Sequence, residues 1–222
     1  MTEKEHTTGR TARTIAMKGG GYYSQRTRGA KDVIDNASGM LVEAADAINT
    51  PDSGGPIVLA DFGAADGGTS ESALRKCIEQ IRSRFPDNQI QVTYTDLPSN
   101  DFSALFKNLL GVGPQAARTY LTDIENVFVS ACGIGFHRQL LPDASLDIGF
   151  SATAMHYISE KPCPIENHVH MVGANGETLT AYADQARQNW SDLLVARAKE
   201  LRPGGWLVML NFGIDEEGRY LG

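Results

Sequence analysis

A strand-length apolar segment that runs directly into a glycine-rich turn is the feature that most constrains the fold of this chain. Residues 57–62 read IVLADF, and the turn that follows carries Gly63, Gly67 and Gly68. An apolar run of this length is typical of an inner strand of a parallel sheet, covered on both faces. The glycines let the backbone turn sharply and leave room for a ligand to approach it. The segment therefore predicts a strand–turn–helix unit with a ligand site at the turn.

Two carboxylates at this turn restrict the kind of ligand. Asp61 lies near the end of the strand and Asp66 lies within the turn. A pyrophosphate binds bare backbone N–H groups and disfavours a neighbouring carboxylate, whereas a ligand with an ammonium group, an adenosine and no phosphate tolerates acids. S-adenosylmethionine has this chemistry, so the turn favours methyl transfer. The glycine spacing also lacks the compact G-x-G-x-x-G fingerprint, which disfavours a nicotinamide dehydrogenase.

The rest of the chain alternates between helix and strand patterns. A polar arm, expected to be disordered, is predicted at 1–16, followed by a single domain at 17–222. The alternation predicts a doubly wound α/β sheet with flanking helices. The predicted helices are 27–48, 69–85, 101–109 and 178–201, and the predicted strands are 57–62, 90–95, 126–131, 146–150 and 206–212.

Composition excludes several classes of protein. The net charge of −7 and the absence of a basic patch count against nucleic acid or an anionic membrane as the main partner. No apolar run approaches the roughly 20 residues of a membrane helix, and the N-terminus lacks the apolar core of a secretory signal. Cys77, Cys132 and Cys163 are too few and too widely spaced for a disulfide framework or a zinc site. We therefore expect a soluble, cytoplasmic protein without a metal.

Asp61 and Asp96 form the most informative pair of polar residues. Asp96 directly follows the second predicted strand, as Asp61 lies at the end of the first. In doubly wound sheets, ligands bind beyond the carboxyl ends of the strands, near the topological switch point. A carboxylate after the second strand can accept hydrogen bonds from both hydroxyls of an adenosine ribose. The alternative is that each aspartate merely caps the following helix.

Several ordered blocks between about residues 17 and 213 then resemble the SABATH carboxyl methyltransferases. The most specific is DLPSNDF at 96–102, followed by Leu105 and Phe106, which is similar to the family pattern N-D-L-P-x-N-D-F-x-x-L-F. The other blocks are MKGG through Gln25 at 17–25, DFGAADG at 61–67, FHRQLLP at 136–142, SATAMHYIS at 151–159, Tyr182 with Gln185, and LRPGGWLV at 201–208. The resemblance implies a Rossmann-like class I methyltransferase sheet. Family members continue with two more strands and a helical cap, most of which this chain is expected to lack.

The resemblance also implies roles by position. Gln25 would hold the acceptor carboxylate near the methyl donor, and Tyr157 would help to position the acceptor at the place where the family usually has Trp. The implied S-adenosylmethionine contacts are Gln25, Asp61 near the methionine end, Gly63, Asp66, Asp96 and Leu97 at the ribose, and Gly135 and Phe136 at the adenine. The implied acceptor contacts are Gln25, Thr153, His156 and Tyr157. For His156 and Tyr157, plain packing at a strand-to-helix corner is the alternative.

The reaction implied is methyl transfer from S-adenosylmethionine to the carboxylate of a small organic acid. An SN2 displacement would give a methyl ester and S-adenosylhomocysteine, and an acid already ionised at neutral pH requires no general base. Two alternatives remain open at this point: a donor-binding pseudoenzyme or regulatory partner, and a small-molecule N-methyltransferase. The family commonly forms homodimers.

Overall fold

The computed structural model describes residues 28–49, 54–112, 118–166, 168 and 170–219. Within these ranges the chain alternates strands and helices, as the sequence predicts. The elements are α1 (Arg28–Ala47), β1 (Ile57–Phe62), α2 (Glu71–Arg84), β2 (Ile90–Thr95), α3 (Phe102–Leu109), α4 (Tyr120–Asp123), β3 (Val127–Cys132), β4 (Leu146–Ala152), a 3-10 helix (Met171–Gly173), α5 (Gly176–Glu200) and β5 (Leu201–Leu210).

The strands form one parallel sheet in the order β3-β2-β1-β4-β5. The chain moves outward from β1 to β3 and then returns to the other side of β1. The strand order therefore reverses between β1 and β4, and this gap is the topological switch point at which such sheets bind ligands. The predicted doubly wound α/β fold is confirmed.

Both faces of the central strand are buried, which explains its unbroken apolar sequence. Ile57 and Leu59 belong to a core shared with α1 and α2, whereas Val58 and Ala60 belong to a second core that includes Leu193 of α5. The buried residues of α1 and α2 in the first core are Ile34, Leu41, Ala44, Ala45, Ala73, Leu74, Cys77, Ile78 and Ile81. Helices on the two faces thus hold β1 rigidly, and the turn after it starts from a fixed point.

The predicted element boundaries agree best in the buried strands. The bounds of β1 and β2 are as predicted, and α2 and α3 begin one or two residues later than expected. The four-residue α4 was not predicted. The spacing of apolar residues in the first helix predicts one apolar face that includes Val33, Ile34, Met40 and Leu41. That face is too broad, because Val33 and Met40 are about half exposed, whereas Ile34 and Leu41 are buried in the core as predicted.

β5 differs most from its prediction, because it begins at Leu201 and not at Trp206. The predicted Pro-Gly-Gly turn is an irregularity inside the strand: Leu201 pairs with Leu146, but Trp206 pairs with Ile148. Gly204 has φ +82°, and a Cβ on Gly205 would lie 3.0 to 3.1 Å from three carbonyl oxygens. The strand ends at Leu210, so Phe212 lies beyond it.

None of the helices that the structure describes is both long enough and apolar enough to cross a membrane.

Candidate functional site

The turn after β1 is folded back onto the carboxyl end of β2. The N–H groups of Gly63 and Ala64 both donate to the Thr95 carbonyl, at 2.8 and 3.0 Å. Inside the turn, the Gly67 N–H donates to the Ala64 carbonyl at 2.9 Å. These bonds join the carboxyl ends of two neighbouring strands. Residues 63–67 therefore form a compact turn at the carboxyl-terminal end of the sheet, which we call the ledge.

Gly63 lies where this ledge meets the loop after β4. It has φ +83°, and a Cβ built on it would lie only 2.3 Å from the Cβ of Ala154 and 3.7 Å from Cε1 of Phe136. Only glycine combines that backbone conformation with so close an approach. The contact lies at the reversal of strand order between β1 and β4, so the switch point is closely packed on this side.

Asp96 is placed at the end of β2 as predicted, and the structure shows what its carboxylate holds. Oδ2 accepts from the Ala65 N–H and Oδ1 from the Leu97 N–H, both at 2.7 Å. Burial raises the pKa of Asp96, and these two N–H bonds partly oppose the rise. Each oxygen keeps a further acceptor site, so the carboxylate could still bind two hydroxyls.

Asp61 lies beneath the turn and is almost completely buried. Its Oδ2 accepts from the Ser70 hydroxyl at 2.6 Å. Burial raises the pKa of Asp61 to about 7; the Ser70 bond lowers it and the negative charge of Asp96 raises it further. Ser70 occupies the N-cap position of α2 but makes no side-chain cap bond, because its hydroxyl is directed to Asp61.

Side chains from the β2 loop and α3 hold the turn from outside. The Asn100 amide donates to the Ala65 carbonyl at 2.7 Å, and the Asn108 amide donates to the Asp66 carbonyl at 2.9 Å. The Asp66 carboxylate accepts from the Gly68 N–H at 3.1 Å. Neither asparagine carries a predicted role, although Asn100 lies within the distinctive DLPSNDF block.

The segment after β3 contacts the loops that follow β1, β2 and β4 at the carboxyl ends of these strands. A Cβ on Gly135 would lie 3.3 Å from Cδ2 of Leu97, and Phe136 is the residue that approaches Gly63. His137 Nε2 is 2.9 Å from the Tyr157 carbonyl. The structure thus brings Gly63, Leu97, Gly135 and Phe136 together, and Leu97 remains 41% exposed, which leaves an apolar side chain available to a ligand.

A cavity of about 330 Å³ opens beside the loop after β4. The His156 ring contacts the ring of Tyr157, with centroids 4.5 Å apart, and that of Phe212 at 5.1 Å. Burial lowers the pKa of His156, and among the described residues its buried Nδ1 has no hydrogen-bond partner. The cavity is lined by Met155, His156, Tyr157, Ile158, Ala186, Asn189, Trp190, Asn211 and Phe212.

Thr153, a third predicted acceptor residue, is placed differently from His156 and Tyr157, and the fourth is not described. Thr153 is not part of the cavity lining; it has φ +53°, a strained conformation for a β-branched residue, and its N–H donates to the Leu210 carbonyl at 2.7 Å. Gln25 lies outside the described residues.

Sequence reasoning missed the contribution of α5 to this cavity. Asn189 accepts from the Ser159 N–H at 2.8 Å and so joins the helix to the loop after β4. Asn189 lies one helical turn after Gln185, whose amide donates to it at 3.2 Å. This four-residue spacing, which places both side chains on one face of the helix, could have indicated that Asn189 takes part. Among the described residues, no three His, Cys, Asp or Glu side chains are grouped as metal ligands would be.

The fold is a parallel α/β sheet of the methyltransferase type, in which the loops after β1 and β2 meet at the carboxyl ends of the strands and a cavity lies beside β4. The sequence model of the family described as SAM-dependent carboxyl methyltransferases matches residues 12–221. The chain belongs to this family, and the resemblance seen in the sequence is confirmed.

Individual relatives agree with this assignment. Gibberellic acid methyltransferase 2 of Arabidopsis thaliana is 25% identical, covering 96% of this chain and 58% of its own. Loganic acid O-methyltransferase of Catharanthus roseus is 27% identical, covering 87% and 55%. A solved structure of loganic acid methyltransferase with SAH matches 93% of this chain and 61% of its own, with a TM-score of 0.74 and 24% identity. The chain thus spans little more than half the length of these curated relatives.

Proposed function

We propose that this chain takes part in transferring a methyl group from S-adenosylmethionine to the carboxylate of a small organic acid, giving a methyl ester and S-adenosylhomocysteine. The observation that carries the proposal is the convergence of Gly63, Asp96, Leu97, Gly135 and Phe136 at the switch point of the sheet. Membership of the carboxyl methyltransferase family supports it.

The residues at the ledge fit an adenosine-containing donor. The exposed Leu97 side chain beside Gly135, with Phe136 next to it, offers an apolar surface suited to a flat base, and a Cβ on Gly135 would crowd that surface. The remaining acceptor sites of Asp96 suit the ribose hydroxyls. Asp61 and Asp66 place two carboxyl groups on the side proposed for the donor's amino-acid end. When bound, S-adenosylmethionine supplies an activated methyl group.

The cavity beside β4 suits the acceptor. Its aromatic lining would cover the apolar body of an organic acid and exclude water, while Tyr157, about half exposed, would contact the acceptor. His156 and Asn211 supply polar atoms at the same wall. For Gln25 we propose the role of holding the acceptor carboxylate.

The chain's own residues then act by positioning and not by proton transfer. An organic acid has a reference pKa of about 4 and is already ionised at neutral pH, so no base is needed. The lowered pKa of His156 keeps that ring neutral, which suits a wall residue. Holding two reactants in line and excluding water can together supply several kcal/mol of the barrier.

The test is a calorimetric titration of the chain with S-adenosylhomocysteine, using two matched variants. Asp96→Ala and Asp147→Ala both remove a buried carboxylate that accepts a backbone N–H, but Asp147 lies at the start of β4, at the opposite edge of the sheet. We expect Asp96→Ala to weaken binding about tenfold or more, as lost hydrogen bonds to a charged group do. Asp147→Ala should leave the affinity unchanged. Equal effects, or no binding by the folded wild type, would refute the donor site.

The acceptor is tested with a panel of small acids and amines in the presence of the donor. Methyl esters from acids alone support the proposal, and methylated amines would reassign the acceptor class.

A cytoplasmic location and a homodimer are also proposed, the first supported by three free cysteines and the second by the family resemblance. Sedimentation of the chain measures its assembly directly.

A further inference from the structure

A fully buried ion pair, formed by two residues that have no role so far, lies at the end of α5. Arg197 Nε is 2.7 Å from Glu200 Oε2, and Nη2 is 2.8 Å from Oε1, a two-point pairing of guanidinium and carboxylate. Both side chains are at most 1% exposed. Charged residues are almost never buried so deeply without specific partners.

The remaining hydrogen-bonding atoms of this pair hold one short stretch of backbone. Arg197 donates to the carbonyls of Phe136 and Arg138, at 3.0 and 2.9 Å. Glu200 Oε1 accepts from the N–H groups of Leu140 and Leu141, at 2.5 and 3.1 Å. All four backbone groups lie between residues 136 and 141, a segment that forms neither helix nor strand. The pair therefore provides that segment with the hydrogen bonds that secondary structure would otherwise supply.

The same arginine also contacts the end of β1. Its guanidinium carbon lies 4.2 Å from the centroid of the Phe62 ring, a cation–π contact. Phe62 directly precedes Gly63, the glycine that approaches Phe136. One side chain thus sets the position of the segment after β3 relative to the turn after β1.

A buried ion pair is a poor way to gain stability, because desolvation of the two charges offsets most of their attraction. The two-point pairing of guanidinium and carboxylate requires one particular geometry, so such a pair is better suited to fixing a conformation. We propose that Arg197 and Glu200 are positioning residues for the donor's adenine site, holding Phe136 and the preceding Gly135 against Leu97 and Gly63. This inference rests on the proposed function, since it requires those residues to bind the donor.

The first test compares two conservative variants with a matched control. Arg197→Lys keeps the charge beside Glu200, but its three N–H groups cannot replace the four hydrogen bonds of the guanidinium, two to Glu200 and two to carbonyls. Glu200→Gln keeps the shape but removes the charge. Arg202→Lys is the control, because Arg202 also pairs with a buried aspartate, Asp147, at 2.6 Å, and donates to backbone carbonyls at the other edge of the sheet.

All three variants are expected to unfold at lower temperature, but only the first two should lose affinity for S-adenosylhomocysteine. We expect a loss of about 10- to 100-fold, the scale at which a small misplacement of a binding group acts. Arg202→Lys should bind as the wild type does. Unchanged affinity in Arg197→Lys and Glu200→Gln, with lowered unfolding temperatures, would mean that the pair is structural only and would overturn the inference.

A double-mutant cycle shows whether Arg197 acts through Phe136. The losses of binding free energy in Phe136→Ala and Arg197→Lys should not add up in the double variant. If Arg197 acts by holding Phe136 in place, replacing Arg197 has little further effect once the Phe136 ring has been removed. Additive losses would contradict that route.

A measurement on the wild type needs no variant to fold. Hydrogen exchange at the Leu140 and Leu141 amides should slow when S-adenosylhomocysteine binds, because the ligand and the ion pair order the same segment. Binding without that protection would count against the inference, whereas absence of binding would instead count against the proposed function.

Discussion

Individual side chains at this site bind mainly to backbone atoms. Asp96 accepts two N–H groups from two different loops, and Asn100 donates to the Ala65 carbonyl. Ala65 itself has φ +50°, an uncommon conformation for a residue with a Cβ. The turn after β1 is therefore held in shape by residues 31 or more positions away in sequence, and substituting them changes the geometry of the turn as well as the chemistry of a side chain.

Replacing Gly63 by alanine is expected to be among the more damaging single changes in this turn. The added Cβ would meet Ala154 at 2.3 Å, which the short side chain of Ala154 cannot avoid by rotation, and φ +83° disfavours any Cβ. Strain and overpacking together should lower the free energy of unfolding by about 2–4 kcal/mol. Chemical denaturation of the variant measures this loss.

Gly67→Ala is the matched control for that experiment. Gly67 lies in the same turn with φ +71°, but its added Cβ would meet nothing closer than 3.6 Å. We expect only the conformational cost of about 1–2 kcal/mol. Similar losses in both variants would show that the approach of the ledge to Ala154 contributes nothing.

At the scale of elements, a pair of buried tyrosines joins β2 to the short helix α4. The Tyr94 and Tyr120 hydroxyl oxygens are 2.5 Å apart, and both side chains are fully buried. The Tyr120 N–H donates to Glu71 in the first turn of α2 at 2.9 Å. These contacts hold β2, α2 and α4 together.

Tyr120→Phe should destabilise the protein by about 1–3 kcal/mol, because it leaves the buried Tyr94 hydroxyl without its partner. The double variant Tyr94→Phe/Tyr120→Phe should recover part of this loss, since no polar group is then stranded. Urea denaturation of the two single variants and the double variant measures both effects. A double variant whose loss equals the sum of the single losses would contradict the pairing.

The elements that could be predicted from sequence are those in which a local pattern carries the whole signal. The predicted bounds of residues 57–62 and 90–95 match the observed strands, because the first is an apolar run ended by a glycine turn and the second shows two-residue alternation ended by Asp96 and Pro98. Asp96 is found directly after β2, as predicted, and beside the turn after β1. Its role in binding the donor stays a prediction.

The parts that escaped prediction depend on contacts between distant residues. Arg197 and Glu200 lie in the polar stretch ARAKE, which is typical of a solvated helix surface, and only the fold shows that they are buried. The helix α4 has four residues, too few for any periodicity. Asn100 and Asn108 act through backbone atoms of the turn, a role that side-chain type alone does not indicate.

At the scale of the whole molecule, the burial of Asp61 couples stability to pH. Its pKa in the fold is about 7, against 3.8 for an unperturbed aspartate, so between these two pH values the folded state retains a proton that the unfolded chain has released. A raised carboxyl pKa means that the folded state loses relative stability as pH rises through the interval from about 4 to about 7. Above that interval the penalty of burying the charge is constant.

Asp61→Asn removes this dependence, because an amide oxygen can still accept from Ser70 but carries no charge. Relative to the wild type, the variant should gain stability steadily from about pH 4 to about pH 7 and then keep a constant advantage. Denaturant unfolding at several pH values measures the difference. If the stabilities of the wild type and Asp61→Asn run parallel across the interval, the prediction is contradicted.

The hydrogen bond between the His137 ring and the Tyr157 carbonyl has a consequence for the order of binding events. It joins the segment proposed to face the donor to the segment proposed to face the acceptor. A ligand that orders one segment reduces the entropy left to lose in the other, and this effect favours the second ligand. Thermodynamic reciprocity requires the gain to be equal in both directions. We therefore expect the two proposed compartments to bind their ligands cooperatively, so that a product left in one slows the release of the product from the other.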